Sequence, residues 1–222
     1  MNGKTYSTRQ QVKDCWNAHL LQNASYSKKW ELPLFPPTNA VPSDLQSFRY
    51  INHATENSNW IHFFGFDEYL EDVWENPEIW AKQLKRFSGV ISPDLSVCRD
   101  MPFPQQLYNT YRNRVLAHFF AQQGIPIIPN IRWADERSLE FVFEGIDRNS
   151  TVCVSTSGML AHTSDRECFR RGFDAMVKTM TPSTILVYGS MPSDIFSKYQ
   201  NSGIYFAQYD IDTQKAHKRS DQ

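Results

Sequence analysis

From about residue 59 onward, short apolar runs alternate with longer stretches of helical spacing. Trp60-Ile-His-Phe-Phe is one such run. Rich in β-branched and aromatic residues, runs of this kind read as buried strands. The pattern predicts strands over 60–64, 89–92, 125–131, 151–155, 184–188 and 203–207, with a shorter apolar segment over 139–143 counted as a further short strand. Between them the periodicity becomes helical. Asn76-Pro77-Glu78 offers a helix start with proline at the first position, and Gly89 offers its left-handed end. A long helix opens at Pro104, carries Tyr108, Tyr111, Val115 and Phe119 on one stripe widened by Leu116 and Phe120, and stops at Gly124. Ser164 and Glu167 stand at capping-box spacing ahead of Phe169, Phe173, Met176, Val177 and Met180. A shorter helix is predicted over 192–200.

Continuous apolar strands that alternate with amphipathic helices imply parallel βα units. The strand count falls short of the eight that close a (β/α)₈ barrel of about 250 residues. The predicted fold is therefore α/β, a partial barrel or an open parallel sheet. The first fifty residues differ. A leading helix is predicted over 7–22, followed by an irregular arm over 31–45, because Pro33, Pro36, Pro37 and Pro42 remove donors and fix φ. The organisation expected is helix and arm over 1–50, an α/β domain over 51–212 and a frayed polar tail over 213–222.

Composition narrows the function classes. With 41% hydrophobic and 21% charged residues, the chain has the balance of a folding protein. Its formal net charge of -1 argues against avid, sequence-independent nucleic-acid binding, which draws on many unopposed Lys and Arg. The first twenty residues lack the apolar run of a secretion signal, and no stretch approaches the roughly 20 apolar residues of a membrane span. A soluble cytoplasmic protein is expected. Cys15, Cys98, Cys153 and Cys168 form no CxxC pair and fit no common zinc module, so reduced thiols and no metal site are expected. Cys153 and Cys168 suit core positions, whereas Cys98 follows a strand end and could pair with His162.

In parallel α/β folds, ligands sit beyond the carboxyl ends of the strands. That rule gathers Asp67 and Glu68, Asp94 and Ser96, Asn130, Arg132 and Trp133, Ser155 to Gly158, and Tyr188 with Ser190 at one mouth. Asp94 and Asp67 are the candidate catalytic carboxylates. Asn130, Arg132, Trp133, Ser155, Thr156, Ser157 and Tyr188 are the candidate ligand-binding groups. Asp94 equally fits a turn after Pro93, and the Ser155-Thr-Ser-Gly turn equally fits local backbone bonding. It lacks the spacing and lysine of a phosphate-binding P-loop and is no G-x-S-x-G elbow. Trp133 suits either stacking on a ligand or capping the core. His62 reads as a core histidine on the strand face opposite Phe63. Of Arg112 and Arg114, one is expected in solvent and the other against a ring or carboxylate, with a phosphate anchor as the sharper alternative.

Several segments recur in order: His62-Phe-Phe, Trp74-Glu-Asn-Pro, Ser92-Pro-Asp-Leu-Ser, Asp100-Met-Pro, Asn109-Thr-Tyr-Arg-Asn-Arg, Gly124-Ile-Pro-Ile-Ile-Pro with Trp133, Val154-Ser-Thr-Ser-Gly, and Tyr188-Gly. Over roughly residues 59–190 this pattern resembles an uncharacterised domain-of-unknown-function family found in bacteria, phages and other mobile elements. That family carries paired aspartates after the His-Phe-Phe strand, where this chain has Gly65-Phe66-Asp67-Glu68. The resemblance implies a fold and a provenance but no reaction. Three functions follow as expectations. The first is a small-ligand or catalytic site at the strand mouth for a phosphorylated or polyhydroxylated molecule. The second is a non-catalytic accessory protein that binds a host or defence protein through its arm and aromatic surface. The third is a metal-dependent nuclease built on Asp67, Asp94 and Asp100.

Overall fold

A computed structural model describes residues 14, 16–36, 38–53 and 59–220. Seven strands and six helices follow one another: β1 (Leu45–Ser47), β2 (Trp60–His62), α1 (Asp67–Glu75), α2 (Pro77–Leu84), β3 (Gly89–Ile91), α3 (Phe103–Gln122), β4 (Ile127–Ile128), β5 (Thr151–Ser155), α4 (Thr163–Met180), β6 (Thr184–Tyr188), α5 (Ser193–Phe196), β7 (Tyr205–Tyr209) and α6 (Asp212–Ser220). Every ladder is parallel. One sheet runs β1-β2-β3-β4 and the other β5-β6-β7. A single parallel bridge between Asn130 and Cys153 joins them. Neither sheet ladder pairs β7 with β1. Across that seam the Tyr209 hydroxyl donates to the Pro42 carbonyl at 2.6 Å, and Lys215 of α6 donates to the Leu45 carbonyl and, at 2.6 Å, to Asp44. The fold is α/β.

Strand alternation sorts the apolar residues into two cores. Leu45, Trp60, Ile91, Ile128, Cys153, Leu186, Tyr188 and Tyr209 form an inner cluster to which all seven strands contribute. Their neighbours Ile61, Val90, Ile127, Val152, Val154, Ile185 and Val187 face outward into a larger cluster with the helices. A buried aliphatic side chain contributes about 1.5–3 kcal/mol, so both faces of each strand are stabilised by burial and continuous apolar runs result. At Gly89 a Cβ would lie 2.5 Å from the Trp60 ring. Glycine there lets Trp60 fill the inner cluster beside β3.

The structure refines the sequence reading in several places. Strands 151–155 and 184–188 match residue for residue, while 203–207 is displaced to Tyr205–Tyr209. β1 was unforeseen and takes the last residue of the arm, Leu45, into the sheet. The segment 139–143 is no strand: a 3₁₀ turn over Glu136–Glu140 leads into it and buries Phe141 and Val142 against the helices. Gly89 does not cap α2 but opens β3. The Ser164–Glu167 capping box is not formed, because α4 starts at Thr163 with His162 as N-cap, two residues before Ser164 could serve, and Glu167 pairs with Arg170. Residues of the expected frayed tail form α6. The leading helix over 7–22 falls largely outside the described residues; within it, Ala18–Leu21 make one 3₁₀ turn.

Helix α3 departs furthest from expectation. Instead of one apolar stripe, it buries Gln106, Asn109, Thr110, Arg112, Asn113, Arg114 and His118, while Tyr108 is exposed. A buried polar group costs stability unless it is bonded. Here the bonds reach irregular chain. Arg114 donates to the carbonyls of Val142 and Glu144, and His118 Nδ1 and Nε2 contact the Leu34 and Gln22 carbonyls at 2.9 and 3.3 Å. Arg112 pairs with Glu71 at 2.7 Å beneath the rings of Trp74 and Tyr108. Both arginines are thus structural, and neither reaches solvent as expected. Burial without a counter-charge pulls the Arg114 guanidinium down to about 10.

Candidate functional site at the strand mouth

Beyond β3 the chain runs as irregular loop, and buried amides of α3 hold it. Asn113 brackets Leu95, accepting from its N–H at 2.8 Å and donating to its carbonyl at 3.0 Å. Asn109 donates to the Ser96 carbonyl at 2.6 Å. Asp67, at the start of α1, accepts from the Ser96 N–H at 3.0 Å. The loop so fixed carries Asp94 into the interior, 3% exposed.

Both Asp94 oxygens are engaged. Oδ1 accepts from the Asn130 amide at 2.6 Å, and Oδ2 accepts from Arg132 Nη1 at 2.8 Å. Asn130 is itself set by its own N–H, which donates to Ser92 Oγ at 2.8 Å. Burial pushes the Asp94 carboxyl above its ordinary value, against the opposing pull of Arg132 and Asn130. The Asp94 charge in turn raises the Arg132 guanidinium.

A cavity of about 40 Å³ opens beside this pair, lined by Asp94, Asn130, Ile131, Arg132, Trp133, Ser155, Ser157, Met159 and Phe169. Six of the nine proposed site residues therefore meet there: Asp94, Asn130, Arg132, Trp133, Ser155 and Ser157. The other three stand elsewhere. Asp67 is spent on Ser96. Thr156 turns its hydroxyl to the Ser190 carbonyl at 2.9 Å. Tyr188 packs against His62 and Phe64, with ring centroids 4.6 Å away in each case. The Ser155 hydroxyl accepts from the Ser157 N–H at 3.2 Å, which is the local turn bonding that the sequence left open.

Trp133 caps the core and also lines the cavity. Its ring packs on Phe169 at 5.1 Å and is almost wholly buried, yet one edge walls the cavity. Gly172 of α4 makes room for it: a Cβ there would lie 2.0 Å from Trp133 Nε1. A polar floor of carboxylate, guanidinium and amide, two hydroxyls at the side and an apolar wall suit the head of a small ligand. The volume admits such a head, or a few waters, but not a whole sugar. Among the described residues no three His, Cys, Asp or Glu side chains lie close enough to hold a metal ion. Asp100 sits in a turn outside this cavity.

A second polar cluster at the same end of the strands went unread. His62 is fully buried, and its Nδ1 accepts from the Phe64 N–H at 3.3 Å. Its Nε2 has no hydrogen-bond partner and faces Asp212 Oδ1 at 3.4 Å. The Asp212 N–H donates to the Tyr188 hydroxyl at 3.0 Å. Burial lowers the His62 pKa. Burial also works against the Asp212 charge, but His62 and Tyr188 outweigh it and hold that carboxyl below its ordinary value. Strand alternation already placed His62 opposite Phe63; nothing local in the sequence linked it to a residue 150 positions away.

A family model described as a domain of unknown function, DUF4417, matches residues 24–210 and so ends just before α6. The chain is 33% identical over 168 residues to the Gene 1 protein of Mycobacterium phage L5, covering 74% of this chain and 73% of that protein. It is 31% identical over 168 residues to the Gene 1 protein of Mycobacterium phage D29, covering 74% of this chain and 62% of that one. No solved structure matches. No helix among the described residues is long and apolar enough to cross a membrane.

Proposed function

The chain belongs to the DUF4417 family, with homologues in phages, and on that premise we propose that it binds a small phosphorylated or polyhydroxylated molecule by its head group at the Asp94–Arg132 cavity. One observation carries this reading. A buried carboxylate paired with a partly exposed guanidinium, set by amides and the loop after β3, opens onto a cavity with serine hydroxyls on one side and Trp133, Met159 and Phe169 on the other. An ion pair that served packing alone gains nothing from an adjoining cavity, since an empty void forfeits contacts. Arg132 uses one nitrogen on Asp94, and its fork of five donors leaves others for an anion. In this reading Asp94 is a positioning group that aims Arg132, because both its oxygens are taken.

The test is a binding screen of sugar phosphates, nucleotides and polyols by calorimetry on the wild type, Asp94→Asn and Ser157→Ala. Ser157 is exposed and its replacement leaves the melting temperature unchanged. A true ligand is weakened roughly tenfold or more by both variants, the equivalent of about 1–3 kcal/mol for a lost charged hydrogen bond. A ligand whose affinity ignores both substitutions binds elsewhere and removes the reading.

A second reading, docking of a host protein, draws on one feature at the same end of the molecule. Phe66 is 67% exposed just after β2, and Arg49 lies over the rings of Tyr69 and Tyr50 at 4.5 and 5.9 Å. Exposed aromatics beside an arginine are the side chains that dominate protein interfaces. Phe66→Ser abolishes capture of such a partner and leaves small-ligand affinity untouched.

A further inference from the structure

We infer that His62 and Tyr188 form a second, anion-receiving site at the mouth of the strands, and that Asp212 of helix α6 occupies it as a built-in stand-in for a carboxylate- or phosphate-type ligand. Three independent observations converge. First, His62 is fully buried and its Nε2 lacks a hydrogen-bond partner, although a buried donor without one is costly. Its Nδ1 accepts from the Phe64 N–H, so the ring proton of the neutral imidazole sits on Nε2 and points at the Asp212 carboxylate 3.4 Å away. Asp212 thus sits within ion-pair range of the imidazole without completing a hydrogen bond to Nε2. Second, the Tyr188 hydroxyl accepts from the Asp212 N–H at 3.0 Å, which sets the start of α6 against β6. A buried imidazole and a phenol from different strands thus border the place that Asp212 takes. Third, Asp212 arrives on a helix outside the stretch the family model matches, whereas His62 and Tyr188 lie inside it.

Charged and titratable groups face His62 from several packed elements. α6 contributes Asp212 and Lys215, the chain before β1 contributes Asp44, and β6 contributes Tyr188. Lys215 donates to Asp44 and the Leu45 carbonyl and so tethers α6 across the open seam, while its charge also favours the Asp212 carboxylate. The Asp212 side chain is 37% exposed, so its place can be reached from solvent once the carboxylate is removed. Nothing from the Asp94 cavity lines this cluster, and the two sites can be emptied separately.

The experiment follows the His62 imidazole by nuclear magnetic resonance in the full chain, with acetate and inorganic phosphate as probes. In the wild type, neither anion moves the His62 signal, because the site is filled. In Asp212→Ala, added acetate or phosphate shifts it in a saturable manner and raises the pH at which the ring titrates. Asp212→Ser, which keeps a good helix-start residue, gives the same response should the alanine variant lose its native melting transition. His62→Phe in the Asp212→Ala background abolishes the response; Asp94→Asn in that background leaves it intact, which separates this site from the Asp94 cavity. A non-saturable drift in the Asp212 variants, or an equal shift in the wild type, overturns the inference.

Discussion

The Asp94 and His62 corners lie at the same end of the same strands, yet they handle buried charge in opposite ways. At Asp94 both carboxylate oxygens are bonded, one to an amide and one to a guanidinium, and a cavity remains beside the completed set. At His62 a buried ring nitrogen is left unbonded, and the space beside it is filled by a residue from another element. The first corner is complete and leaves a cavity beside it; the second is incomplete and is covered by Asp212. Equally buried polar groups thus differ in whether their hydrogen bonds are completed.

The largest expected effect falls on the completed corner. Arg132→Ala strands the Asp94 carboxylate in the interior and costs about 3 kcal/mol in urea denaturation, the low end for removing one partner of a buried pair because part of Arg132 remains in water. A loss under about 1 kcal/mol would place Asp94 in a far wetter setting than its surroundings show. The next effect is smaller. Tyr188→Phe removes the acceptor of the Asp212 N–H, and the half-exposed end of α6 can turn to water instead. The same measurement should give about 0.5–1 kcal/mol. If Tyr188→Phe costs as much as Arg132→Ala, the two corners are equivalent and the contrast fails.

The smallest effect is a pair of slopes with opposite signs. Burial lowers the His62 pKa below its ordinary 6.5, so the unfolded chain binds the extra proton first and stability is lost as pH falls below 6.5 towards the folded value. Burial raises the Asp94 pKa above 3.8, so the folded chain binds the proton first and stability is gained as pH falls through the raised value. Denaturation midpoints followed from pH 7 downward should therefore lose their acid decline partly in His62→Phe, and show a steeper decline in Asp94→Asn. Parallel slopes in both variants would mean that the two groups titrate alike.

Legibility in the sequence followed the range of the interaction. β5 and β6 are unbroken apolar runs bounded by turns, and their limits were read residue for residue. β1, Leu45-Gln-Ser, has one apolar residue in three and becomes a strand only because β2 pairs with it. α1 hid within an acidic stretch, since its buried Leu70, Val73 and Trp74 are spread among carboxylates. Residues 139–143 looked extended because Phe141, Val142 and Phe143 are apolar, but their burial comes from loop packing. Strand polarity alone assembled Asp94, Asn130, Arg132, Trp133, Ser155 and Ser157, because every parallel strand ends at the same mouth. It also drew in Tyr188 and Thr156, because it fixes which end a residue occupies and not which neighbour it faces. The polar positions of α3, outside its predicted apolar stripe, hold the loop and arm from within.

The way α3 holds the arm bears on which sequence changes the chain tolerates. Arg114 and His118 grip carbonyl oxygens of residues 22, 34, 142 and 144, which every amino acid carries. Side chains along the arm are therefore free to vary between relatives without loosening it, except at buried anchors such as Leu32 and Phe35. The spacing between gripped carbonyls is not free. An inserted or deleted residue between 22 and 34 shifts one oxygen away from the His118 ring while leaving the other in place. Among relatives, this stretch should drift in identity while keeping its length, the reverse of an ordinary surface loop.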